Sequence, residues 1–257
     1  MNRRLILFFL VVLVVGLVAL IPLRSAVAPL VDQGFTARQV AGTIWYGRIG
    51  ELTFGTRRLG TFEVAFDPLA LLTGAVKMKF QRLGDPHGVL DGTLVSGGRR
   101  GLGETTGRIG VAGLFGALPI DAIEFDKVTL LFRGQECASA SGAVTMVLAA
   151  PIPGVDGVTL RGSLRCENRR VRFTLATPSG AGRIDFYVRS GGDYRAWLHV
   201  RAVPPDQAAL LGAAGFTPSS DGLTMSALSE ALPAERILYL GDTARVPYGT
   251  RSAETVL

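Results

Sequence analysis

The side chains best suited to chemistry in this sequence are two cysteines and two histidines. Neither Cys137 nor Cys166 belongs to a Cys-x-x-Cys pair, and His87 and His199 are the only histidines. The ligand spacing of a structural zinc site is therefore missing. In a cytosolic protein the two thiols are expected to be free, whereas in an oxidising compartment an even pair in apposed strands indicates one disulfide. The compartment decides between these interpretations.

Other patterns that suggest binding or catalysis lack the context they need. Gly101-Leu102-Gly103-Glu104-Thr105-Thr106-Gly107 is similar to a dinucleotide fingerprint but has one residue too many before its last glycine. It follows no apolar parallel strand and opens no amphipathic helix, so it is predicted to form hairpin turns and bulges. Asp121 and Glu124, beside Phe125, are interpreted as charges that flank a hairpin. The sequence thus predicts no catalytic residue, no cofactor and no metal.

The N-terminal stretch determines the compartment in which the remainder is interpreted. Nineteen residues without a charge, Leu5–Leu23, follow Arg3 and Arg4 and end at Arg24. As a helix they would extend about 28 Å, close to the hydrocarbon thickness of a bilayer. The preceding positive charges predict a cytoplasmic N-terminus, a single transmembrane helix and a body on the far side.

A cleaved secretory signal is the alternative interpretation of the same stretch. Ala26-Val27-Ala28 fits a small-x-small cleavage site. However, the apolar run is longer than the usual signal core, and Pro29 would follow the scissile bond, which favours a retained anchor. Both interpretations predict export of the remainder.

The exported part alternates apolar and polar residues as strands with one buried face do. Period two is plain in Leu59–Phe66 and Ala75–Phe80, and Leu69–Leu72 is predicted to form one helical turn between them. A helix over Gln207–Ala214 is predicted to end at Gly215. The fold class is therefore mainly β, an antiparallel, turn-rich sheet in one body or two with a short C-terminal helix. Six further strands are predicted at intervals near ten residues: Lys127–Arg133, Ser141–Ala149, Val158–Cys166, Val171–Ala176, Arg183–Arg189 and Tyr194–Ala202.

Arginine carries almost all of the net charge of +6. The pairs Arg57-Arg58, Arg99-Arg100 and Arg169-Arg170 lie beside Gly or Asn, where hairpin tips are expected. They are interpreted as solvated turn residues, with a patch for an anionic partner as the alternative. No aromatic residues alternate with them, so no nucleic-acid partner is predicted.

The order of several motifs resembles the type II secretion system protein N family. Gly42-Thr43-Ile44-Trp45-Tyr46-Gly47 is similar to the family's Gly-Thr-aliphatic-Trp-x-Gly motif, and Asp67–Gly74 resembles its next block. The segments around Cys137 and Cys166 resemble its two cysteine-bearing strands, and Ala209–Phe216 resembles its closing helix. The resemblance covers about residues 5–225.

This resemblance implies a non-catalytic periplasmic subunit that is anchored in the bacterial inner membrane and supports export of folded proteins across the outer membrane. Its implied partners are other secretion-system subunits and the membrane, through Leu5–Leu23, with no small-molecule substrate. A periplasmic lipid-binding or lipid-transfer protein is the alternative, because a membrane anchor followed by a curled sheet could also form an apolar groove for lipid. A carrier needs an open apolar trough, whereas a scaffold has a filled core, so the interior of the sheet discriminates between them.

The end of the chain resembles the early region of glutamate racemase, most clearly over Tyr239–Gly249. Its pattern predicts a helix over Ala227–Leu232. Racemisation needs a thiol on each face of the α-carbon, but Cys137 and Cys166 belong to the β region, so no racemase activity is predicted. The expected parts are residues 1–24 as a cytoplasmic stub and anchor, 25–225 as a periplasmic domain, and 226–257 as a fragment that is disordered or loosely docked.

Overall fold

Strands dominate the protein, for which a computed structural model describes residues 3–31, 34–54, 57–71, 74–84, 88–201 and 203–229. Its helices are α1 (Arg3–Ala19), α2 (Leu23–Val31), α3 (Pro68–Leu71) and α4 (Pro205–Ala213). Its strands are β1 (Phe35–Thr36), β2 (Gln39–Gly42), β3 (Gly47–Phe54), β4 (Arg57–Phe66), β5 (Ala75–Leu83), β6 (Leu90–Gly97), β7 (Arg100–Gly110), β8 (Ile120–Arg133), β9 (Glu136–Leu148), β10 (Thr159–Glu167), β11 (Arg170–Ala176), β12 (Gly182–Val188), β13 (Tyr194–Val200), β14 (Thr217–Ser219) and β15 (Gly222–Ser229).

All of these strands belong to one antiparallel sheet in which, from β3 to β13, chain neighbours are also sheet neighbours. The order is β1-β3-β4 and so on to β13, then β15 and β14, with β2 also paired to β3. The β10–β11 turn shows how the sequence closes such hairpins. Asn168 and Arg169 both have positive φ, 47° and 69°, between the paired residues Glu167 and Arg170. A two-residue turn of this kind matches the right-handed twist of the flanking strands.

The connections alternate between two ends of the sheet because the strands alternate in direction. The Gly42–Gly47 turn between β2 and β3 lies at one end, which we call the motif end. The connections β4–β5, β6–β7, β8–β9, β10–β11 and β12–β13 lie at this same end. The other connections, α4 among them, lie at what we call the far end.

Two apolar clusters of buried side chains pack on the sheet. The larger takes alternate residues of β8–β15, such as Val171, Leu175 and Leu198, and adds Leu211 from α4. The smaller contains Leu23 and Val27 of α2 with Ile49, Phe62, Val64 and Leu90. Phe125 on β8 contacts both clusters. Each fully buried aliphatic side chain contributes about 1.5–3 kcal/mol to folding, so this interior is a packed core.

The prediction of one continuous helix over Leu5–Leu23 is wrong in its extent. α1 ends at Ala19, and Pro22 forms an isolated antiparallel bridge with Thr43 before α2 begins at Leu23. Proline lacks an N–H and disfavours helical geometry in the residue before it, so the helix stops here. In the part of the chain that the structure describes, no helix combines the length and the apolarity needed to cross a membrane.

Most of the predicted strands are confirmed. The six predicted between Lys127 and Ala202 coincide with β8–β13, although β8 begins earlier, at Ile120. The predicted helical turn is α3, and α4 begins two residues before Gln207, with no side-chain hydrogen bond at its N-cap. The helix predicted to begin at Ala227 is wrong where it can be checked, because β15 continues to Ser229 along β13. Residues 230–257 lie outside the described residues.

Candidate functional site

The Gly42–Gly47 turn is the point where the sheet holds the N-terminal helices. The Thr43 N–H donates to the Tyr46 carbonyl across the turn, at 3.1 Å. The Ile44 N–H donates outward to the carbonyl of Ile21, at 3.0 Å, and the Ile44 carbonyl accepts from the Phe66 N–H, also at 3.0 Å. One short turn therefore ties the segment between α1 and α2 to strand β4.

Trp45 adds a side-chain contact to the end of α1. Its indole N–H donates to the carbonyl oxygen of Val18, at 3.0 Å. Carbonyls in the last turn of a helix lack their usual intrahelical partners and are satisfied by other donors. Trp45 consequently caps α1 although it lies 27 residues further along the chain.

Two glycines allow the close approach that this arrangement requires. A Cβ atom on Gly47 would lie 2.6 Å from Cδ2 of Leu23 and 2.8 Å from the Ala41 carbonyl oxygen. Gly42 has φ of +93°, and a Cβ there would lie 2.5 Å from the Tyr46 carbonyl oxygen. Larger residues would displace backbone atoms at both positions, so the motif needs glycine at each of them.

Leu23 and Val27 fix the other side of the junction. Leu23 is fully buried and Val27 is 8 % exposed, both within the smaller core cluster. α2 therefore packs on the sheet from its first residue, directly after the bridge at Pro22. Hydrogen bonds at the end of α1 and burial at the start of α2 together set the direction in which α1 leaves the sheet.

The surface of α1 is apolar all round and uncovered. None of its residues is buried, and the exposed fraction of its large apolar side chains between Leu5 and Val18 ranges from 41 % to 68 %. Monomeric soluble proteins rarely present so large a contiguous apolar surface to water. A membrane or another apolar partner is the environment that this surface fits.

The two cysteines lie on neighbouring strands and are joined. A disulfide links Cys137 of β9 to Cys166 of β10, with 5.6 Å between their Cα atoms. The paired stretch of these strands ends at Ser163 and Ala143, so the disulfide holds them together beyond it. The Cys137 N–H also donates to the Arg169 carbonyl, at 3.3 Å. The disulfide thus fastens two hairpin tips at the motif end.

A cluster of ionised side chains lies on the outer face of β11 and β12. Asp185, which is 9 % exposed, accepts hydrogen bonds from Arg172 at 2.9 Å and Thr174 at 3.1 Å, and pairs with Arg183 at 2.8 Å. Burial alone raises the pKa of Asp185, but the bonds from Arg183 and Arg172 outweigh it and the pKa lies below the ordinary value. The hydrogen bonds that Arg172 donates to Asp185 and Glu167 raise the pKa of its guanidinium. These ion pairs and hydrogen bonds join β10, β11 and β12 on their outer face.

The remaining residues that the sequence singled out do not converge. Gly101–Gly107 lies inside β7, while Asp121 and Glu124 lie 3.8 and 3.7 Å from Arg108 of the neighbouring strand. His199 lies on β13, and His87 falls outside the described residues. Within the described ranges, no group of three or more His, Cys, Asp or Glu side chains is placed to hold a metal ion.

A cavity of about 960 Å³ beside β1, β3 and β4 bears on the lipid-carrier alternative. Arg38, Glu51 and Arg58 lie in its wall together with several threonines, and Arg38 pairs with Glu51 at 3.1 Å. An acyl chain needs an apolar wall, since burying charged groups against hydrocarbon is costly. The polar cavity and the filled core therefore do not favour a carrier.

One family of known proteins matches most of the chain. The model of the family described as type II secretion system (T2SS), protein N matches residues 33–226. This stretch begins after α2 and includes the Gly42–Gly47 turn, both cysteines and α4. No solved structure matches the chain.

Short matches to enzymes also occur. The chain is 57 % identical to the glutamate racemase of Chlorobaculum parvum over 42 residues, which are 16 % of this chain and 15 % of that protein. The corresponding figures are 60 % for Syntrophus aciditrophicus and 57 % for Neisseria meningitidis serogroup B, again over 42 residues and 16 % of each protein. The chain thus spans about one sixth of the length of the curated relatives it matches.

Proposed function

The chain belongs to the type II secretion system protein N family and is a component of that system, and we propose that it acts there as a non-catalytic scaffold. In this proposal the apolar N-terminal segment anchors the protein in the inner membrane. The sheet lies in the periplasm, where it contacts other subunits of the secretion apparatus.

The observation that carries the proposal is the junction between α1 and the sheet. α1 presents apolar side chains on every side, yet its last turn is held by Trp45 at 3.0 Å and by the Ile44–Ile21 hydrogen bond. A leader that is to be removed would not need such fixation. A fixed exit direction lets a hydrophobic segment position a folded body at a defined height and tilt above a membrane. The part of this uncharged run that is free to enter a bilayer is Leu5–Leu20, because the sheet holds the three residues that follow it.

Two features support a periplasmic location. Arg3 and Arg4 precede the apolar segment, and positive charges are retained on the cytoplasmic side of inner-membrane proteins. The Cys137–Cys166 disulfide requires an oxidising compartment, which the periplasm provides and the cytosol does not.

A scaffold without catalysis fits both sets of comparisons. The family match covers most of the chain, whereas the racemase matches cover 16 % of it. We therefore assign the function to residues 1–229 and none to residues 230–257. Removing residues 230–257 should change neither secretion nor the melting temperature. Glutamate racemisation by the intact chain would contradict this assignment.

The test compares two conservative tryptophan replacements in cells that lack the chromosomal gene. Trp45→Phe keeps an aromatic ring but removes the N–H that caps α1, while Trp197→Phe makes the same change on β13. We expect both variants to remain in the membrane after alkaline carbonate treatment. We expect Trp45→Phe to lower secretion of a type II substrate and Trp197→Phe to leave it unchanged. Secretion that persists without the gene would overturn the secretion role, and release of the wild-type chain by carbonate would overturn the anchoring.

A further inference from the structure

The hairpin tips at the motif end carry a concentration of arginine that the scaffold role does not explain. Six arginines stand in or directly beside the four tips from β6–β7 to β12–β13, against three carboxylates. The arginines are Arg99, Arg100, Arg133, Arg169, Arg170 and Arg189, and the carboxylates are Glu136, Glu167 and Asp193. All of the arginines are exposed except Arg170, which is half-buried.

These tips form one continuous surface. Arg100, Arg169, Arg170 and Arg189, from three different tips, line the same open cavity of about 470 Å³. The Cys137–Cys166 disulfide fastens two of the tips to each other. The disulfide therefore fixes the backbone of the β8–β9 tip relative to that of the β10–β11 tip.

The three carboxylates, of which Asp193 lines the same cavity, are too few to neutralise the six arginines. Glu136 pairs with Arg169 at 3.3 Å, and both side chains are more than half exposed. Glu167 is directed to Arg172 of the outer-face cluster, at 3.0 Å. A net positive charge consequently remains at the tips, and it attracts an anionic surface.

The apolar helix leaves the sheet at this same end. Trp45, whose indole caps α1, and Tyr46, which is 65 % exposed, lie in the turn there. Leu69 and Leu71 of α3, in the neighbouring β4–β5 connection, are 71 % and 46 % exposed. Tryptophan and tyrosine are enriched at the level of lipid headgroups, and exposed leucines beside them can enter the acyl boundary.

The far end also exposes apolar side chains, such as Val89 at 61 % and Leu210 at 66 %. Its charge is different, however. In or directly beside its described connections stand Asp156, Asp206 and Asp221 together with Arg57 and Arg201. The two ends of the sheet therefore differ in net charge and in the position of α1, whereas exposed apolar side chains are found at both.

We propose that the motif end docks on the anionic headgroups of the bilayer that holds α1, with the tip arginines contacting lipid phosphates. Arginine suits this role because its guanidinium donates paired hydrogen bonds to phosphate oxygens. Near an anionic leaflet each arginine favours the docked state about fivefold, so three of them favour it about a hundredfold. This inference rests on the anchoring proposed above, since the helix fixes which end of the sheet faces the bilayer.

The experiment measures the distance from each end of the sheet to the headgroups in the full-length protein. A fluorophore is attached to a single added cysteine, at Gln135→Cys on the β8–β9 tip or at Ala213→Cys on α4, with the native disulfide left oxidised. The protein is reconstituted in nanodiscs that contain about 30 % phosphatidylglycerol, an anionic fraction high enough to hold basic residues at the surface. Nitroxides on the lipid headgroups quench a fluorophore that lies close to them.

Matched charge variants separate headgroup contact from simple tethering. One variant combines Arg99→Gln, Arg133→Gln and Arg189→Gln at the tips. Its control combines Arg58→Gln, Arg161→Gln and Arg201→Gln, which removes the same charge from exposed positions nearer the far end. We expect strong quenching at position 135 and weak quenching at 213. The quenching at 135 should fall severalfold in the tip variant, in zwitterionic nanodiscs and at high salt, and should be unchanged in the control.

Three results would overturn the proposal. Equal quenching at positions 135 and 213 would contradict docking of the motif end on the headgroups. Quenching at position 135 that is the same in the tip variant and in the wild type would contradict a role for the tip arginines in this docking. The third result combines two measurements: the fluorophore at position 135 is not quenched, and the tip variant no longer supports secretion. In that case the arginines are needed for an acidic protein partner and not for lipid headgroups. Carbonate extraction of the same sample tests the anchoring separately. A chain that carbonate releases contradicts the proposed anchor, whatever the fluorophore reports.

Discussion

Replacement of Gly47 by alanine is the sharpest perturbation of the junction between α1 and the sheet. The added Cβ would lie 2.6 Å from Leu23 Cδ2, 2.8 Å from the Ala41 carbonyl oxygen and 3.0 Å from the Thr43 carbonyl oxygen. The leucine methyl can move, but the two carbonyl oxygens belong to the backbone of the turn. Relief therefore requires the turn itself to shift.

Overpacking of this kind costs about 1–3 kcal/mol in a close-packed site. Two of the three close contacts are to backbone atoms, so we expect the upper half of that range. For a folded body of roughly 200 residues, each kcal/mol lowers the melting temperature by about 2–4 °C. Gly47→Ala should accordingly lower it by about 4–12 °C. Combining it with Leu23→Ala should not restore stability, because the contacts to Ala41 and Thr43 remain and a cavity is added.

Gly103→Ala is the matched control. Gly103 also lies within a strand, β7, but a Cβ there would meet its nearest neighbours at 3.8 Å, an ordinary contact. We expect this variant to be neutral or slightly stabilised, since alanine restricts the unfolded chain.

The assay is thermal unfolding of the full-length protein in detergent, followed by Trp45 fluorescence in a Trp197→Phe background. The chain has two tryptophans, so the remaining one reports the junction directly. Equal melting temperatures for Gly47→Ala and Gly103→Ala would refute the packing argument. Gly47→Ala could also lower the melting temperature without changing the emission maximum of Trp45 in the folded state. That result would show that the strain lies away from the turn.

Three further predictions concern the sheet. Cys137→Ser should lower the free energy of unfolding by about 3.5 kcal/mol, because the disulfide closes a loop of roughly 30 residues, and thiol labelling of the unreduced, denatured wild type should detect no reactive thiol. Hydrogen bonds from the Ser179 hydroxyl lower the pKa of Asp156 from 3.8 to about 2, so its contribution to stability is present above pH 3.8 and is lost as the pH falls through 2. Unfolding midpoints of Asp156→Asn should accordingly depend less on pH in that window than those of the wild type. Asp185→Ala should cost about 3–5 kcal/mol in denaturant unfolding, because it leaves two arginine side chains beside a buried position without their shared carboxylate. An unchanged midpoint would show that water replaces it.

The strands of the sheet could be predicted from the sequence where apolar and polar residues alternate regularly. In β11, Val171, Phe173 and Leu175 are buried and the residues between them are half-buried, as period two predicts. The turns were equally local, since Asn168 supplies the positive φ that the β10–β11 hairpin needs. Local pattern and tertiary pairing agree in this part of the chain, so the pattern was sufficient.

The exceptions are places where a distant strand competes with local preference. The apolar pattern of Leu5–Leu23 predicted one continuous helix. In the structure that helix ends before Ile21 and Pro22, which pair with Ile44 and Thr43. Alanine and leucine favour helix at Ala227 and Leu228, but hydrogen bonds along β13 override that weak preference. In both cases the partner lies too far along the chain for a short window to include it.

The site shows the same division. Resemblance to a family pointed to Gly42, Thr43, Trp45 and Gly47, but the roles of these residues depend on Val18 and Leu23. No pattern within the turn indicated that it would cap a helix.

The sequential order of the strands also has a kinetic consequence. Each strand from β4 to β13 pairs with the one immediately before it in the chain, so a hairpin can close as soon as its second strand has been delivered. If the chain emerges from its N-terminus, the sheet can grow by one strand at a time. Each step closes only a short loop, because the partner strand is the preceding one in the sequence. At every stage the newest strand exposes an unpaired edge that can recruit the wrong chain. Among the described strands, β14 lies at the edge of the sheet beyond β15; it is three residues long and contains Pro218, which has no N–H to offer a further strand. The described sheet is therefore bounded on this side by an edge strand that is poorly suited to recruit another chain.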